Sequence, residues 1–182
     1  MKELSEHILD IAQNSIAAGA AHIHITLAED VDGWLTIVIG DDGCGMSPQL
    51  LSTVSDPFTT TRTTRRIGMG VPLYRMTAEQ TGGSLEITSE PGSGTTVTAR
   101  FDLRHLDCPP IGSIADTVAL LIQGSPNTEL TYVHQTPRGT SELSTAEIRP
   151  VLGDDIPLSE PAVFVWIRDE ISRQEAQIEE ER

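Results

Sequence analysis

The pattern of apolar positions at the start of the chain predicts a helix followed by two strands. Between residues 3 and 19, apolar residues such as Leu4, Ile8 and Ile11 recur near helical spacing. Gly19 stands where such a helix would end. The next two stretches, HIHITLAED and WLTIVIG, are rich in β-branched residues and are separated by an Asp-Gly pair. We therefore expect an amphipathic helix and then an antiparallel hairpin.

A second set of predicted elements surrounds a long polar segment. We expect a short helix from Ser47, and another from Val71 to about Thr81 that Gly82-Gly83 ends. Between them, DPFTTTRTTRRIGMG has no apolar period and is dense in Thr, Arg and Gly, which is typical of a loop. Two strands follow, SLEITSE and GTTVTARFDL, joined by a tight Pro-Gly-Ser-Gly connection.

The pattern breaks around Cys108-Pro109-Pro110, and we place a domain boundary near residue 105. Residues 1–104 would form the first domain, and residues 105–182 a small C-terminal α/β appendage. The appendage pattern predicts a helix, a strand pair, a short helix and an acidic last helix that contains Trp166. We interpret the appendage either as a docking module or as a stabilising cap on the first domain.

The charge balance narrows the classes of partner. The chain has 182 residues with 12 Lys and Arg against 27 Asp and Glu, so its formal net charge is −15. That charge disfavours nonspecific binding to nucleic acid or to an anionic membrane. The first twenty residues carry acids where a secretion signal needs a basic start, and no stretch approaches the length of a membrane span. We therefore expect a cytoplasmic protein with no nucleic-acid or membrane partner.

One stretch departs from this acidic composition. Residues 57–78 contain no Asp or Glu, while four arginines give the stretch a charge of +4. Threonines, glycines that let a backbone approach closely, and the start of a helix accompany these arginines. These are the ingredients of a polyphosphate site. The alternative is a basic loop with no bound anion.

Two other features suit a bound phosphate, its metal and a base. Asp10 and Asn14 are four residues apart on the first predicted helix, so a carboxylate and an amide share one face and can hold Mg²⁺ or a water. Asp41 ends a strand, and the nearby Gly43 and Gly45 would let a ligand ring lie close to the backbone while the carboxylate accepts from an amine. Each feature alone also fits an ordinary surface helix or turn.

The order of these motifs resembles a known family. The segments LDIAQNSIAAGA, DDGCGM, DPFTTTR, GMGVPL and SEPGSGTTVTARF are similar to the N, G1, F, G2 and G3 boxes of the GHKL ATPase superfamily. The F, G2 and G3 segments look most like the ATP-binding domain of bacterial sensor histidine kinases. The resemblance implies a Bergerat-type α/β sandwich, a mixed sheet with helices on one face, that encloses ATP and Mg²⁺ under a mobile lid.

The resemblance also implies roles for individual residues. Asn14 would coordinate the Mg²⁺ of Mg·ATP, and Asp41 would bind the adenine amine. The lid would contribute Thr60, Thr61 and Arg62, with Arg62 as its catalytic cation. Other matched positions would lie near the adenine or the phosphates, or would form the turn that supports the adenine-side pocket. They are Gly43, Gly45, Gly68, Gly70, Val71, Gly94 and Thr95.

Three departures from the family pattern shape the functional hypothesis. Asp10 stands where hydrolysing members carry a catalytic glutamate that is one methylene longer, and Arg66 stands where the first G2 glycine is expected. The N-box helix begins at the start of the chain, so we expect no phospho-acceptor segment before it. None of the five histidines has the expected acceptor surroundings, although His7, one turn before Asp10, would be placed to orient it.

We therefore expect a Mg·ATP-binding protein of the sensor-kinase type that transfers phosphate to a separate protein in trans. One alternative is a slow ATPase in which Asp10 is the general base. The other is a non-catalytic switch, in which ATP orders the lid for a partner protein.

Overall fold

The computed structural model describes residues 2–55, 70–153 and 155–179. Within these ranges the chain alternates helices and strands in an α/β fold. The helices are α1 (Leu4–Ala17), α2 (Pro48–Ser55), α3 (Gly70–Gln80), α4 (Ile114–Gly124), α5 (Thr145–Leu152) and α6 (Pro161–Glu179). The strands are β1 (His22–Glu29), β2 (Trp34–Asp41), β3 (Ser84–Glu90), β4 (Gly94–Asp102), β5 (Glu129–Thr136) and β6 (Gly139–Ser144).

The strands form one mixed sheet in the order β3-β4-β2-β1-β5-β6. Neighbouring strands are antiparallel except β1 and β5, which are parallel. The β1–β2 hairpin is closed by Asp30, whose carboxylate accepts the backbone N–H groups of Asp32 at 2.9 Å and Trp34 at 3.0 Å. The predicted hairpins of residues 22–41 and 84–102 are therefore confirmed.

Alternation along the strands places the core on one face of the sheet. In β1, Ile23, Ile25 and Leu27 are buried, whereas the alternating residues His22 and His24 are exposed. The buried positions of β2, β4, β5 and β6 are in register with those of β1, so they line the same face. The helices cover that face, and the predicted sandwich with helices on one side of a mixed sheet is confirmed.

Helix α1 occupies the centre of the helical layer. Its apolar positions at helical spacing, among them Leu4, Ile8 and Ile11, are buried, which explains why the sequence forms an amphipathic helix here. The helix packs against β2 of the sheet and has α3 on one side and α4 on the other. Because α1 contacts both the sheet and α3, it can position residues of one site along its length.

The segment after residue 105 continues the same sheet. The predicted helix of residues 113–124 and the two strands after it are present as α4, β5 and β6. β5 pairs with β1, and α4 packs against both α1 and α6. The parallel pairing of β1 with β5 is not apparent from the sequence, because these strands are separated by more than 90 residues. No helix among the described residues has both the length and the apolarity needed to cross a bilayer.

A buried ionic cluster fastens α6 to the sheet. His134 of β5 is 2% exposed, and its Nδ1 lies 2.7 Å from Oε2 of Glu175 on α6. Glu175 Oε1 accepts the hydroxyl of Tyr132 at 2.8 Å. Glu29 Oε1 lies 3.3 Å from His134 Nε2, within ion-pair distance but outside hydrogen-bond geometry. Burial disfavours the charged ring, but the two carboxylates outweigh it and raise the pKa of His134 to about 9.

Candidate functional site

The carboxylate of Asp41 is held in place from two directions. Asp41 is the last residue of β2, and its Oδ2 accepts the hydroxyl of Ser15 from α1 at 2.5 Å. Its Oδ1 accepts the backbone N–H of Gly43 at 2.9 Å. Ser15 is 4% exposed, whereas Asp41 is only partly buried. The carboxylate is therefore oriented by a buried hydroxyl and remains accessible to a ligand.

Glycines allow the loop after β2 to lie against the β3–β4 turn. A Cβ at Gly45, whose φ is +64°, would overlap the carbonyl of Glu90. A Cβ at Gly94, whose φ is +98°, would overlap the carbonyl of Asp41. The loop is fixed further because Cys44 donates its N–H to Ala18 O at 3.0 Å. The three glycine positions predicted from the G1 and G3 motifs, together with Asp41 and its strand partner Thr95, thus come together.

Ser89 is part of this arrangement, although the sequence did not single it out. Its hydroxyl oxygen accepts the N–H of Met46 at 2.8 Å and lies 2.9 Å from both the carbonyl of Gly94 and the hydroxyl of Thr95. One side chain of β3 therefore connects the loop after β2 with the start of β4. Its role depends on strand register, which is a property of the tertiary structure.

Asp10 and Asn14 lie one turn apart on α1, and both are partly buried. Gly70, the first residue of α3, is so close to Asp10 that an added Cβ would lie 3.0 Å from the Asp10 Oδ2. The carboxylate thus faces the N-terminal turn of α3, where unpaired backbone N–H groups carry partial positive charge. Ser15, which binds Asp41, follows Asn14 directly. Helix α1 therefore joins the Asp10–Gly70 contact with the group formed by Ser15, Asp41 and Gly43, which we call the Asp41 cluster.

Residues 1–105 match the sequence model of the family described as histidine kinase-, DNA gyrase B- and HSP90-like ATPase. The chain belongs to this family. The match covers more than half of the chain and includes α1, β1 to β4 and the helices between them.

Curated relatives support the kinase branch of this family. The chain is 32% identical over 105 residues to histidine protein kinase DivJ of Caulobacter vibrioides, across 55% of this chain and 18% of the relative. It is 27% identical over 103 residues to a putative sensor histidine kinase NtrY-like of Rickettsia conorii, across 56% of this chain and 17% of the relative. The chain thus matches less than a fifth of the length of either relative. An ATP-binding, histidine-kinase-like domain is what these matches share.

A solved structure shows similarity in fold alone. The crystal structure of the N-terminal domain of a DNA repair protein superposes with a TM-score of 0.51 and 17% identity. The similarity covers 80% of this chain and 53% of that chain. Because the coverage exceeds the residues matched by the family model, the fold likeness extends beyond residue 105.

The other predicted positions of the histidine-kinase-like domain are placed as follows. Val71 is 5% exposed and belongs to the hydrophobic core. The predicted lid positions and one G2 glycine lie outside the described residues; they are Thr60, Thr61, Arg62 and Gly68.

A buried polar contact joins α1 to α3 below Asp10. The ring of His7 stacks on Tyr74 with a centroid separation of 4.8 Å, and its Nε2 lies 3.2 Å from the hydroxyl of Thr77. Burial lowers the pKa of His7 to about 4, so the ring is neutral at physiological pH. The sequence suggested that His7 orients Asp10. Its contacts instead run to α3, so it fixes the helix whose first residue touches Asp10.

The donors available for Mg²⁺ are oxygens from a carboxylate and an amide. No group of three or more His, Cys, Asp or Glu side chains in residues 2–55, 70–153 and 155–179 is arranged to hold a metal ion. Asp10 and Asn14 are hard oxygen donors, which suit Mg²⁺, but two protein ligands leave most of its coordination to water or phosphate oxygens. The residues present therefore fit a metal that arrives with a nucleotide.

Proposed function

We propose that this protein binds Mg·ATP between the Asp41 cluster and the Asp10–Gly70 contact and transfers the γ-phosphoryl group to a separate acceptor protein. The observation that carries the proposal is the double anchoring of Asp41, by Ser15 and by the N–H of Gly43. A carboxylate held in this way has acceptor lone pairs left for the exocyclic amine of adenine. The family membership of residues 1–105 supports the same ligand.

The phosphates would lie toward the other end of the site. The first turn of α3 presents backbone N–H groups beside Asp10, and an anion is favoured at such a helix start. Asn14, one turn farther along α1, is the residue that would hold Mg²⁺ together with phosphate oxygens. Bound Mg²⁺ would offset charge on the transferring phosphoryl group, so the protein contributes mainly position and electrostatics.

Three of the five histidines, all of which lie in the described ranges, are poorly suited to accept a phosphoryl group. His7 and His134 are each 2% exposed and are held by buried contacts. His22 lies between two carboxylates, 2.6 Å from Asp42 and 3.2 Å from Glu129, which raise its pKa and so disfavour the neutral, nucleophilic form of the ring. These contacts support the proposal that the phospho-acceptor lies in a separate protein.

A second candidate function, slow ATP hydrolysis, is favoured by the position of Asp10. Its carboxylate points at the N-terminus of α3, beside the expected phosphates, where a general base for water would have to stand. If Asp10 is the base, Asp10→Asn lowers the rate of phosphate release at least tenfold with little change in ATP affinity. Equal rates in the two proteins would reject that role.

Nucleotide binding is tested by titration calorimetry with Mg·ATP. Asp41→Asn should weaken binding by at least tenfold, because the amide cannot accept from both the adenine amine and its present partners. The matched control is Asp42→Asn, which makes the same substitution at the neighbouring carboxylate. The Asp42 carboxylate accepts the N–H groups of Ala21 and His22 at 2.8 Å each and is not part of the proposed adenine contact. Asn14→Ala should weaken binding only when Mg²⁺ is present, with the exposed neighbour Gln13→Ala as its control. Unchanged affinity in both test variants would refute the proposed site.

Transfer is tested separately with γ-labelled ATP. The protein is incubated with candidate acceptor proteins while free phosphate and protein-bound label are followed together. Label on a second protein, lost in Asn14→Ala but kept in Gln13→Ala, is the expected result. Phosphate release without protein label would assign the protein as an ATPase. Binding with neither product would contradict transfer and assign it as a nucleotide-dependent switch.

A further inference from the structure

The C-terminal segment carries an apolar groove at the surface. The groove has a volume of about 460 Å³, and its apolar walls include Leu152, Ile156, Val163 and Trp166. Trp166 is 51% exposed and Ile156 is 45% exposed. Large apolar side chains that lie together at the surface of a folded protein mark interaction sites, because their exposure to water is unfavourable.

Helix α6 packs against the rest of the protein without using Trp166. The helix already packs through Val163, Ile167 and Ile171, which are 5%, 0% and 0% exposed. Trp166 lies beside this buried stripe and faces the groove instead of the core. Tryptophan is one of the residue types that most often dominate the binding energy of a protein interface.

The charge around the groove specifies the chemistry of its occupant. Asp155 and Glu160 line it, and neither makes an ion pair with a described residue. No Lys or Arg from the described part of the chain lines it. The nearest arginine of α6 in sequence, Arg168, is paired with Asp169 at 2.7 Å. A cationic occupant would therefore meet two carboxylates that pair with no described residue, and no Lys or Arg from the described ranges.

The charge of the whole chain argues against two other occupants. A second copy would bring a further −15 to the contact, so self-association through an acidic rim is disfavoured. An anionic bilayer is disfavoured for the same reason.

We propose that the groove lined by the end of α5, residues 155–160 and the start of α6 binds a short segment of a partner protein, in which apolar side chains are flanked by lysine or arginine. The apolar side chains would fill the space beside Trp166, and the flanking cations would pair with Asp155 and Glu160. This proposal specifies the kind of partner that the proposed transfer requires. The groove itself is built from elements other than those that hold Asp10 and Asp41, so docking and nucleotide binding can fail independently.

The experiment selects peptides from a displayed random twelve-residue library against the full chain. Enriched peptides should contain apolar residues next to Lys or Arg. Their affinity, measured by fluorescence anisotropy, should fall at least tenfold on Trp166→Ala. The matched control is Leu106→Ala, which removes a side chain that is 97% exposed elsewhere and should change affinity less than twofold. Circular dichroism establishes that each variant is folded, and ATP calorimetry on the same variants reports the nucleotide site separately.

A double variant tests the charge argument. Asp155→Asn combined with Glu160→Gln should weaken binding of the selected peptides and reduce the salt dependence of their affinity. The reason is that both carboxylates that attract the cations of the peptide are lost. The control is Glu86→Gln with Glu90→Gln, which removes two exposed carboxylates of β3.

Three results would overturn the proposal. One is a selection that gives no peptides, or gives peptides that bind the Trp166→Ala protein equally. Another is enrichment of acidic or uncharged peptides whose affinity is unchanged by Asp155→Asn combined with Glu160→Gln. The third is concentration-dependent dimerisation in sedimentation that Trp166→Ala abolishes, which would assign the groove to a second copy of the chain. A protein that binds peptides as expected but fails to bind ATP would refute the proposed function and leave the docking surface standing.

Discussion

The ionic cluster at His134 predicts a specific dependence of stability on pH. The perturbation is Glu175→Gln, which replaces the carboxylate 2.7 Å from His134 Nδ1 by a neutral group of nearly the same shape. In the native protein the pKa of His134 is raised to about 9 from an ordinary value of 6.5. Because this folded-state pKa is above the unfolded one, the folded protein holds an extra proton between pH 6.5 and 9.

The magnitude follows from these two pKa values. Their difference corresponds to on the order of 3 kcal/mol, fully present below pH 6.5 and lost as the pH rises to 9. In Glu175→Gln the ring remains buried, but only Glu29 remains beside it, so the pKa of His134 should fall. The free energy of unfolding at pH 6 should decrease by about 3 kcal/mol, as when one partner of a buried pair is removed.

The assay is urea denaturation at pH 6.0, 7.5 and 9.0, together with NMR titration of the His134 ring. The wild-type free energy of unfolding should fall across this range, and the fall should shrink by more than half in Glu175→Gln. His22 changes stability in the same direction in both proteins, so the difference between them isolates His134. Glu170→Gln is the control, because Glu170 lies on the same helix and pairs with Arg173 at the surface. A ring that titrates at or below pH 6.5 in the wild type, or an unchanged pH slope in Glu175→Gln, would refute this reasoning.

Three further predictions concern the N-terminal half. Gly94→Ala should lower the free energy of unfolding by about 3 kcal/mol or more, because the added Cβ would overlap the Asp41 carbonyl at a left-handed φ. The control is Gly92→Ala, which has open space around the added Cβ and should cost about 1 kcal/mol in the same denaturation assay. Equal costs for the two variants would contradict the clash. Ser15→Ala should weaken ATP binding in calorimetry by about tenfold through loss of its bond to Asp41, and unchanged affinity would exclude that role. Because the pKa of His7 in the folded protein is lowered to about 4, the free energy of unfolding measured in urea should fall by on the order of 3 kcal/mol between pH 6.5 and 4. His7→Phe should make this fall smaller. An equal fall in both proteins would assign the pH dependence to other groups.

Much of the candidate site was predictable because its motifs are local. Asp10 and Asn14 share a helix face by spacing alone, and Asp41 with its glycines marks the end of a strand. The glycines also had a local reason, since Gly45 and Gly94 adopt positive φ values. The roles of the predicted lid residues remain predictions of the sequence.

Other members of the site could not be predicted, because they depend on contacts between distant segments. Ser15 and Asp41 are 26 residues apart, and their hydrogen bond exists only because α1 packs on β2. Ser89 reaches Met46 across 43 residues because β4 pairs both with β3 and with β2. A serine on an amphipathic helix or on a half-exposed strand has no sequence signal that would reveal such a bond.

The sequence by itself determined the elements, the order of the motifs and the acid-free stretch in a chain of net charge −15, since these follow from residue types and short spacings. Only the tertiary structure decided that β5 pairs in parallel with β1 and that His134 meets Glu175 across 41 residues. It also decided that Trp166 lies half exposed beside a buried stripe. These features depend on which faces pack together, and local periodicity identifies an apolar face without identifying its partner.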